Sequence, residues 1–433
     1  MMTKSLAAIL AGFAIAVPLT FWLLKKVLVK SKVRHFQGSL AIGLPTALFV
    51  LLLQTSFAVP VIAITVVFSL LVVALELTLR RHVLNAVSRY GSFKHGKPGH
   101  GQEYPEAKEA AGNYPYDYLT KDFWMEQNQA RRSFDKQKLE IKKNNPHVTL
   151  SHKIAQECSV EYGQYKVLNG FRNTTDVSEC DSQDFTRVFL LGGSPLSGPE
   201  VPDRLTSSSF LQRIANENEI KIRVVNCGWD GSGVLGRTEL LKDLVVAKSV
   251  VVFVFGVNDS GWYDRKSKKL SVNSVGLPLR ALRVFVYRGS ALAFYLYNKI
   301  SPWYFRKSSS REVKNVIETF EIAYEFCVSN SAKMIAILEP NLYTRRLACG
   351  YENRLISRFN RDLRTLITES YKQYEDWIKT VPFGVSAAHI FDNGKDSVFL
   401  DWCHVNARGN EIIAKFIFDE LQRRGMLGRD SKL

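Results

Sequence analysis

Hydrophobic residues crowd into the N-terminal part of the chain, where they form two long apolar runs. The first extends from Leu6 to Leu24, about the length that one helix needs to cross a bilayer, and a basic segment follows it at 25–34. The second extends from Leu40 to Leu79, about twice that length, with a polar break at Gln54-Thr55-Ser56. This pattern predicts an N-terminal transmembrane region at 1–90 with three spans, at about 5–24, 38–55 and 57–79.

The basic residues beside these runs bear on orientation, because Lys and Arg are enriched on the cytoplasmic side of a membrane. With three spans, both the 25–34 segment and Arg80-Arg81 favour the cytoplasm, which puts the large C-terminal part inside the cell. If one apolar segment is re-entrant, that part lies outside instead. The chain is therefore predicted to be a multi-pass membrane protein with the lipid bilayer as a partner, and the basic residues leave the side open.

The residue pattern changes twice after the last predicted span. Residues 91–117 are rich in Gly, Pro, His and charged residues without periodicity, which is typical of a linker. A charged, helix-like stretch follows from Trp124 to Lys143, and the aromatic residues around its start favour docking on a folded domain. We therefore predict a linker and docking helix at 91–150, and a globular domain at 151–433.

From Phe185 onward, short apolar runs alternate with longer amphipathic segments. The apolar runs predict strands at Arg187–Leu191, Ile222–Val225, Val250–Phe255, Met334–Leu338 and His389–Phe391. The amphipathic segments predict helices at Ser207–Asn218, Gly236–Val246, Arg311–Ser329, Asn353–Lys379 and Asn406–Arg424. Strands and helices that alternate in this way build a parallel, doubly wound sheet of the α/β class, whose functional site lies at the carboxyl ends of the strands.

Polar segments follow the first three of these strands directly, which places them at that edge of the sheet. They are Gly192-Gly193-Ser194, Asn226-Cys227-Gly228 and Gly256-Val257-Asn258-Asp259, and a fourth, Asp401-Trp402-Cys403-His404, precedes the last helix. A serine hydroxyl becomes a competent nucleophile only when a base takes its proton. His404 is the candidate base for Ser194, because His389 is the only other histidine after residue 152.

Asp401 precedes His404 by three positions and supplies the carboxylate with which serine hydrolases orient the imidazole and stabilise the imidazolium. Simpler interpretations stay open, since Gly-Gly-Ser is common in turns and Asp-x-x-His can cap a helix. A metal site formed by Asp401, Cys403 and His404 is a further alternative, without additional ligands at a recognisable spacing. His389 is expected to be a buried structural histidine, and Cys227 and Cys403 are expected to be packing residues.

Composition adds constraints on partners and cofactors. The chain has 58 Lys+Arg and 41 Asp+Glu, a net charge of +17, which suits anionic lipid headgroups or an acidic polymer, and nucleic acid is not an expected partner. Six cysteines without a C-x-x-C spacing indicate neither a zinc knuckle nor a redox dithiol, and no cofactor is expected. A disulfide between Cys158 and Cys180 and a pair of buried thiols both remain open.

The four polar segments resemble, in order and spacing, the motif blocks of the SGNH/GDSL hydrolases. The serine block, Leu191-Gly192-Gly193-Ser194, has the Gly-Gly-Ser form of a membrane-anchored subgroup in place of the commoner Gly-Asp-Ser. The resemblance extends over residues 160–425 and includes Asn169-Gly170-Phe171-Arg172, Val201-Pro202-Asp203, Ser209-Phe210-Leu211-Gln212 and Leu338-Glu339-Pro340.

The resemblance implies a flavodoxin-like three-layer α/β/α fold for the domain at 151–433. It implies a catalytic triad of Ser194, Asp401 and His404. The implied oxyanion hole consists of the backbone N–H groups of Ser194 and Gly228 and the side-chain amide of Asn258.

The implied activity is that of a membrane-anchored serine esterase with an extracytoplasmic catalytic domain. It would hydrolyse small acyl esters, such as O-acetyl groups, on carbohydrate or glycolipid. Two alternatives stay open: an O-acyltransferase that modifies cell-envelope polysaccharide, and an inactive membrane scaffold or binding module with the same fold.

Overall fold

The computed structural model describes residues 71, 74–75, 121–144, 158–177, 185–260, 263–264, 269–270, 291–346, 348–358 and 361–427. The predicted spans at 5–24 and 38–55 lie outside the described residues, as does the span at 57–79 apart from three helical residues. Within the described ranges, no helix combines the length and the apolar character that a membrane crossing needs. The chain divides into two compact units, one formed by 1–97 and 273–304 and the other by 98–272 and 305–433.

The described residues form ten strands: β1 (Val160–Tyr162), β2 (Tyr165–Leu168), β3 (Phe171–Arg172), β4 (Thr186–Gly192), β5 (Ile222–Gly228), β6 (Val250–Phe255), β7 (Tyr263–Asp264), β8 (Lys269–Leu270), β9 (Lys333–Leu338) and β10 (Gly384–Ser386). They also form eight α-helices: α1 (Lys121–Asn144), α2 (Ser194–Ser197), α3 (Ser207–Glu217), α4 (Val234–Leu244), α5 (Ala291–Ser329), α6 (Gly350–Arg358), α7 (Arg361–Ile378) and α8 (Ala407–Arg423). Short 3-10 turns lie at Asp203–Leu205 and Val257–Asp259.

Five parallel strands in the order β5-β4-β6-β9-β10 make up most of the main sheet. The first of them along the chain, β4, lies between the next two: Leu190 pairs with Asn226 of β5 and with Val252 of β6. Counted along the chain, this is the 2-1-3-4-5 strand order of the flavodoxin-like doubly wound sheet. The predicted α/β class with a parallel sheet is confirmed.

Helices cover both faces of this sheet. Successive side chains of a strand point to opposite faces, so each central strand contributes apolar side chains to both. Val188 and Leu190 of β4 pack with buried residues of α3, α6 and α8. Phe189 and Leu191 pack on the other face with buried residues of α4, α5 and α7. All residues of β6 are buried, as expected for a central parallel strand that reads as one continuous apolar run. The result is a helix–sheet–helix sandwich with one apolar core on each side.

Three short strands that the sequence analysis did not predict extend the sheet in the antiparallel sense beyond β5. The β2–β3 turn consists of Asn169 and Gly170, with φ values of 51° and 78°. Two residues with positive φ are what a type I′ hairpin turn requires, and Asn-Gly is the sequence that adopts it most readily. Arg172 of β3 then pairs with Asn226 of β5, which joins the hairpin to the parallel sheet.

The α1 helix corresponds to the predicted docking helix. Its Ala130 is fully buried and packs against the apolar side chains of β1 and β2. Gln137 donates a hydrogen bond to the Ser159 carbonyl at 2.9 Å and accepts one from the Ser159 N–H at 3.1 Å. The helix is therefore held on the hairpin at the edge of the main sheet.

One predicted strand is wrong. Residues His389–Phe391 form a turn, and the fifth parallel strand is β10, five residues earlier. Phe391 lies in this turn, and its ring packs edge-on against the ring of Phe399, with 5.4 Å between the ring centroids. The apolar side chain therefore serves a packing contact of the turn. The predicted helix Asn353–Lys379 corresponds to α6 and α7, with residues 359–360 between them outside the described part.

His389 is not the buried structural histidine that the sequence predicted. Its side chain is 40% exposed, with Nδ1 at 3.0 Å from Asp392 Oδ2 and Nε2 at 3.2 Å from Glu375 Oε1. Cys227 and Cys403 are buried as expected of packing residues. Cys158 is buried too, but Cys180 lies outside the described residues, so a disulfide between them stays a prediction.

Candidate active site

The polar segments meet at the carboxyl edge of the parallel sheet. Ser194 begins α2 directly after β4, Gly228 ends β5, and Asn258 lies in the 3-10 turn that follows β6. Because β4 lies between β5 and β6, Ser194 is flanked by the other two segments. The segment with Asp401 and His404 reaches the same edge just before α8.

Ser194, His404 and Asp401 form a continuous hydrogen-bonded chain. Ser194 Oγ lies 2.8 Å from His404 Nε2, and His404 Nδ1 lies 2.6 Å from Asp401 Oδ2. With Nδ1–H donated to the carboxylate, Nε2 carries the lone pair that faces the serine hydroxyl. This is the arrangement in which an imidazole can take the hydroxyl proton while a carboxylate stabilises the resulting cation.

Asp401 is fixed by the turn that it begins. Its Oδ1 accepts hydrogen bonds from the backbone N–H groups of Cys403 at 2.8 Å and His404 at 2.7 Å, which leaves Oδ2 for the imidazole. The turn is closed by the Leu400 N–H, which donates to the His404 carbonyl at 2.8 Å. Asn406 then caps α8, accepting from the Gly409 N–H at 2.9 Å. Local backbone contacts therefore set the position of both side chains.

Ser194 is held at the start of a one-turn helix. As the first helical residue it has a backbone N–H with no acceptor inside the helix. The helix is anchored at its other end by Asn226, whose buried Nδ2 donates to the Leu196 carbonyl at 3.1 Å and to Ser208 Oγ at 3.0 Å. The nucleophile candidate is thus tied to β5 and α3 as well as to its own strand.

The side-chain amide of Asn258 lies directly beside this helix start. A Cβ atom on Gly193 would be only 1.8 Å from Asn258 Nδ2, so the amide occupies the space that glycine leaves open. Asn258 Nδ2 is buried and has no acceptor among the described residues. Its turn is braced by Asp259, which accepts from the Val234 N–H at 2.7 Å and the Gly256 N–H at 3.2 Å. A buried donor without an acceptor costs stability, and a ligand oxygen beside Ser194 would relieve that cost.

Gly228 does not offer the donor that the sequence analysis expected. Its N–H donates to Asn226 Oδ1 at 2.9 Å. This bond closes a small turn at the end of β5, between the side chain of Asn226 and the backbone two residues later, a turn that Asn forms readily. The donors that the described structure leaves for an oxyanion are the Asn258 amide and the Ser194 N–H.

The surroundings of His404 and Asp401 shift the pKa values of both groups. Burial alone would raise the pKa of Asp401, but the adjacent His404 and the three N–H bonds that Asp401 accepts outweigh it, so the pKa lies below its usual range. Burial alone would lower the pKa of His404, but Asp401, Cys403 and Glu200 around the ring raise it well above the ordinary value. The pair therefore favours the ionic form that develops when Ser194 gives up its proton.

Two more carboxyl groups border the hydrogen-bonded chain of Ser194, His404 and Asp401, and the sequence analysis assigned neither of them a role. Glu200 Oε1 lies 3.6 Å from His404 Nδ1. Glu339 follows β9 and accepts the Val257 N–H at 2.8 Å, while its Oε2 has no hydrogen-bond partner among the described residues. Burial, with a contribution from the nearby Asp259, raises the pKa of Glu339 to about 8. Glu339 belongs to the Leu338-Glu339-Pro340 segment of the resemblance, whereas nothing in the sequence marks Glu200.

The contacts favour the hydrogen-bonded chain over the metal-site alternative. Ligand atoms of Asp401, Cys403 and His404 lie within 4.8 Å of one another. However, both nitrogens of His404 already face hydrogen-bond partners. Burial also raises the pKa of the Cys403 thiol far above neutrality, whereas a metal binds the thiolate.

The candidate site is enclosed. Ser194 is 7% exposed and His404 is 3% exposed. Trp402 lies in the same segment and stacks on Tyr343 with 6.3 Å between ring centroids. With so little of Ser194 and His404 exposed, the geometry suits a small reacting group.

No protein-family model and no curated protein matches the chain. Solved structures with a similar fold include a G-D-S-L family lipolytic protein from Veillonella parvula DSM 2008, with 14% identity, a TM-score of 0.34, and coverage of 55% of this chain and 99% of that one. A putative lipolytic protein of the same family from Desulfitobacterium hafniense DCB-2 has 11% identity and a TM-score of 0.31, with coverage of 54% of this chain and 98% of that one. A lipase/acylhydrolase from Enterococcus faecalis has 17% identity and a TM-score of 0.30, with coverage of 55% of this chain and 97% of that one. Each is matched over nearly its full length, and this chain has many residues outside the matched part.

Proposed function

We propose that the chain is a serine esterase that works through an acyl-serine intermediate. The observation that carries the proposal is the chain of contacts from Ser194 Oγ through His404 to Asp401, 2.8 Å and 2.6 Å long. A serine, a histidine and an aspartate in that order are what nucleophilic acyl transfer requires. The Asn258 amide beside Ser194 adds a donor that neither a simple turn nor a helix cap needs.

The reaction proceeds in two acyl transfers. Ser194 Oγ attacks the carbonyl carbon of the ester while His404 Nε2 takes its proton, and Asn258 Nδ2 and the Ser194 N–H donate to the oxyanion of the tetrahedral intermediate. Collapse of that intermediate expels the alcohol, which receives the proton from His404. Water then attacks the acyl-serine with His404 as base, and Ser194 is released.

The proposed substrate is a small acyl ester, such as an O-acetyl group, on a carbohydrate or glycolipid. The enclosed position of Ser194 supports a short acyl chain. The net charge of +17 supports an anionic polymer or a lipid headgroup as the part of the substrate outside the site. Attachment to the membrane through 1–90, with the hydrolase domain on the extracytoplasmic side, belongs to the same proposal.

A fluorophosphonate probe tests the proposed activity, because it reacts with an activated serine without knowledge of the natural substrate. The full-length protein should be labelled once, with the adduct on the peptide that contains Ser194 when it is mapped by mass spectrometry. Ser194→Ala should abolish labelling, and Ser197→Ala, in the same one-turn helix, is the matched control that should keep it. A folded protein without any label would favour the scaffold alternative.

The second alternative, an O-acyltransferase, makes the same acyl-serine and differs only in the acceptor. An excess of a sugar alcohol during turnover of an aryl acetate separates the two. Hydrolysis predicts free acetate at all acceptor concentrations. A rising fraction of acetylated sugar would show a transferase.

A further inference from the structure

Glu200 places a second carboxylate against the imidazole of His404. It lies in the loop between α2 and the 3-10 turn at Asp203–Leu205, and its side chain is 8% exposed. The 3.6 Å from Glu200 Oε1 to His404 Nδ1 is an ion-pair distance and too long for a hydrogen bond. The hydrogen bond of Nδ1 goes to Asp401 at 2.6 Å, so Glu200 faces the same ring atom as an additional charge.

The loop that carries Glu200 is held from behind by Arg172, a buried residue of β3. Arg172 Nε donates to the Ser197 carbonyl at 3.2 Å and Nη2 donates to the Val201 carbonyl at 2.7 Å, on either side of Glu200 in the chain. Its Nη1 forms an ion pair with Asp203. Three contacts from one rigid guanidinium therefore fix the backbone on which Glu200 stands.

We propose that Glu200 is a positioning residue of the serine esterase, whose carboxylate stabilises the His404 imidazolium alongside Asp401. The proposal rests on the function proposed above. It assigns the anchored loop at 198–202 a role in the reaction: the loop brings a second carboxylate to the same imidazole nitrogen that Asp401 contacts.

Cys403 and Glu339 are the other titratable groups around the ring. Cys403 precedes His404, and burial keeps its thiol protonated by raising its pKa. Glu339, from the end of β9, also interacts with His404, but burial raises its pKa to about 8 and it is largely neutral below that pH. Asp401, Cys403 and Glu200 are the groups that raise the pKa of His404, and of these Asp401 and Glu200 are carboxylates.

Glu200→Gln removes this charge and keeps the size of the side chain. An opposite charge within ~4–6 Å typically shifts a pKa by about 1–3 units, so the pKa of His404 should fall by about one unit or more. A lower pKa moves the acid limb of the pH–rate profile to lower pH, because the neutral imidazole forms earlier. On the alkaline plateau the rate should fall, because the base is weaker.

The test measures the pKa of His404 directly in the full-length protein, by NMR titration of ring-labelled histidine with His404→Asn to assign its signal. The same proteins are titrated for the rate of fluorophosphonate labelling. Glu200→Asp, which keeps the charge, should stay close to the wild type. Glu411→Gln, which removes a surface carboxylate that pairs with Arg408, is the matched control and should change neither quantity.

A His404 pKa that falls in Glu200→Gln and recovers in Glu200→Asp supports the proposal. An unchanged pKa in Glu200→Gln, or in Glu200→Ala should the Gln variant not fold, overturns it. A protein whose pKa responds as expected but which no probe labels would contradict the esterase and leave the electrostatic coupling intact, so the two failures are distinguishable.

Discussion

The amide of Asn258 occupies the space that a side chain on residue 193 would need. A Cβ on residue 193 and the amide nitrogen of Asn258 would lie 1.8 Å apart, and the chain fills this space with the nitrogen. The commoner Gly-Asp-Ser block would therefore displace the amide in this structure. The Gly-Gly-Ser sequence is thus tied physically to the position of the Asn258 amide, the proposed oxyanion donor.

Gly193→Ala should behave like the loss of that donor. We expect turnover of a short-chain aryl ester to fall by on the order of 10²–10³-fold, the range for removing one oxyanion donor. Asn258→Ala should give a similar loss, and the double variant should be little worse, because both changes remove the same interaction. Gly394→Ala, whose Cβ would meet its nearest atoms at 3.6 Å and 3.8 Å, is the control with ordinary contacts. Additive losses in the double variant would contradict this account.

A buried ion pair positions the segment that leads to Asp401. Arg345 Nη1 lies 2.5 Å from both carboxylate oxygens of Glu352, near the start of α6. Its Nη2 donates to the carbonyls of Gly394 at 2.7 Å and Asp396 at 3.0 Å, and Glu352 accepts from the Val398 N–H at 2.9 Å. One pair therefore connects α6 with the 394–399 segment.

Breaking this pair should destabilise the fold more than removing it. Arg345→Met or Glu352→Gln alone leaves a buried charge or its partners unsatisfied, and each should cost about 3–5 kcal/mol in the free energy of unfolding. The double variant should lose clearly less than the sum of the two. Denaturant titration of the four proteins measures this coupling, and strictly additive small losses would show that the pair is not a structural unit.

The elements that could be predicted from sequence are those whose pattern reflects burial. β4 and β6 are continuous apolar runs because both faces of a central parallel strand are covered, and Ser194, His404 and Asp401 stand out by residue type and by position after strands. The hairpin was missed although Asn169-Gly170 is a strong turn signal, because the strands beside it are only a few residues long. The strand predicted at His389–Phe391 is a turn, and its apolar pair Ile390-Phe391 resembles a short strand in the sequence.

Features of the site that sequence does not reveal have a different origin. Whether the Gly228 N–H is available depends on the side chain of Asn226, and sequence does not reveal which acceptor a backbone group chooses. Glu200 is a carboxylate in a loop without periodicity, and only the three-dimensional course of the loop brings it to His404. The sequence therefore marks the residues of the hydrogen-bonded chain, Ser194, His404 and Asp401, and does not mark Glu200 beside it.

At the scale of the whole molecule, Glu339 links the site to the pH dependence of folding. Its carboxyl group is buried beside the turn that carries Asn258 and accepts the Val257 N–H. Burial raises its pKa in the folded state to about 8 from an ordinary value of 4.5. The folded state therefore binds this proton more tightly than the unfolded state, and the associated stability is present below pH 4.5 and is lost as the pH rises to about 8.

Glu339→Gln should remove this dependence. The melting temperature of the wild type should fall relative to that of the variant as the pH rises through this window, because only the wild type must ionise a buried group. Glu420→Gln is the control. The hydrogen bond from Arg423 lowers the pKa of Glu420, so any change in the melting temperature that comes from its titration occurs at acid pH, outside this window. A constant difference between wild type and Glu339→Gln across the window would show that Glu339 does not titrate in it.

The central claim is that Ser194 carries the acyl group, and hydrolysis of p-nitrophenyl acetate by the intact Ser194→Ala protein tests it most directly. The account predicts that the wild type turns over the ester. It predicts that Ser194→Ala keeps its melting temperature and hydrolyses the ester at a rate only slightly above the uncatalysed rate, because the nucleophile is lost. A folded Ser194→Ala protein that hydrolyses the ester at the wild-type rate would contradict it.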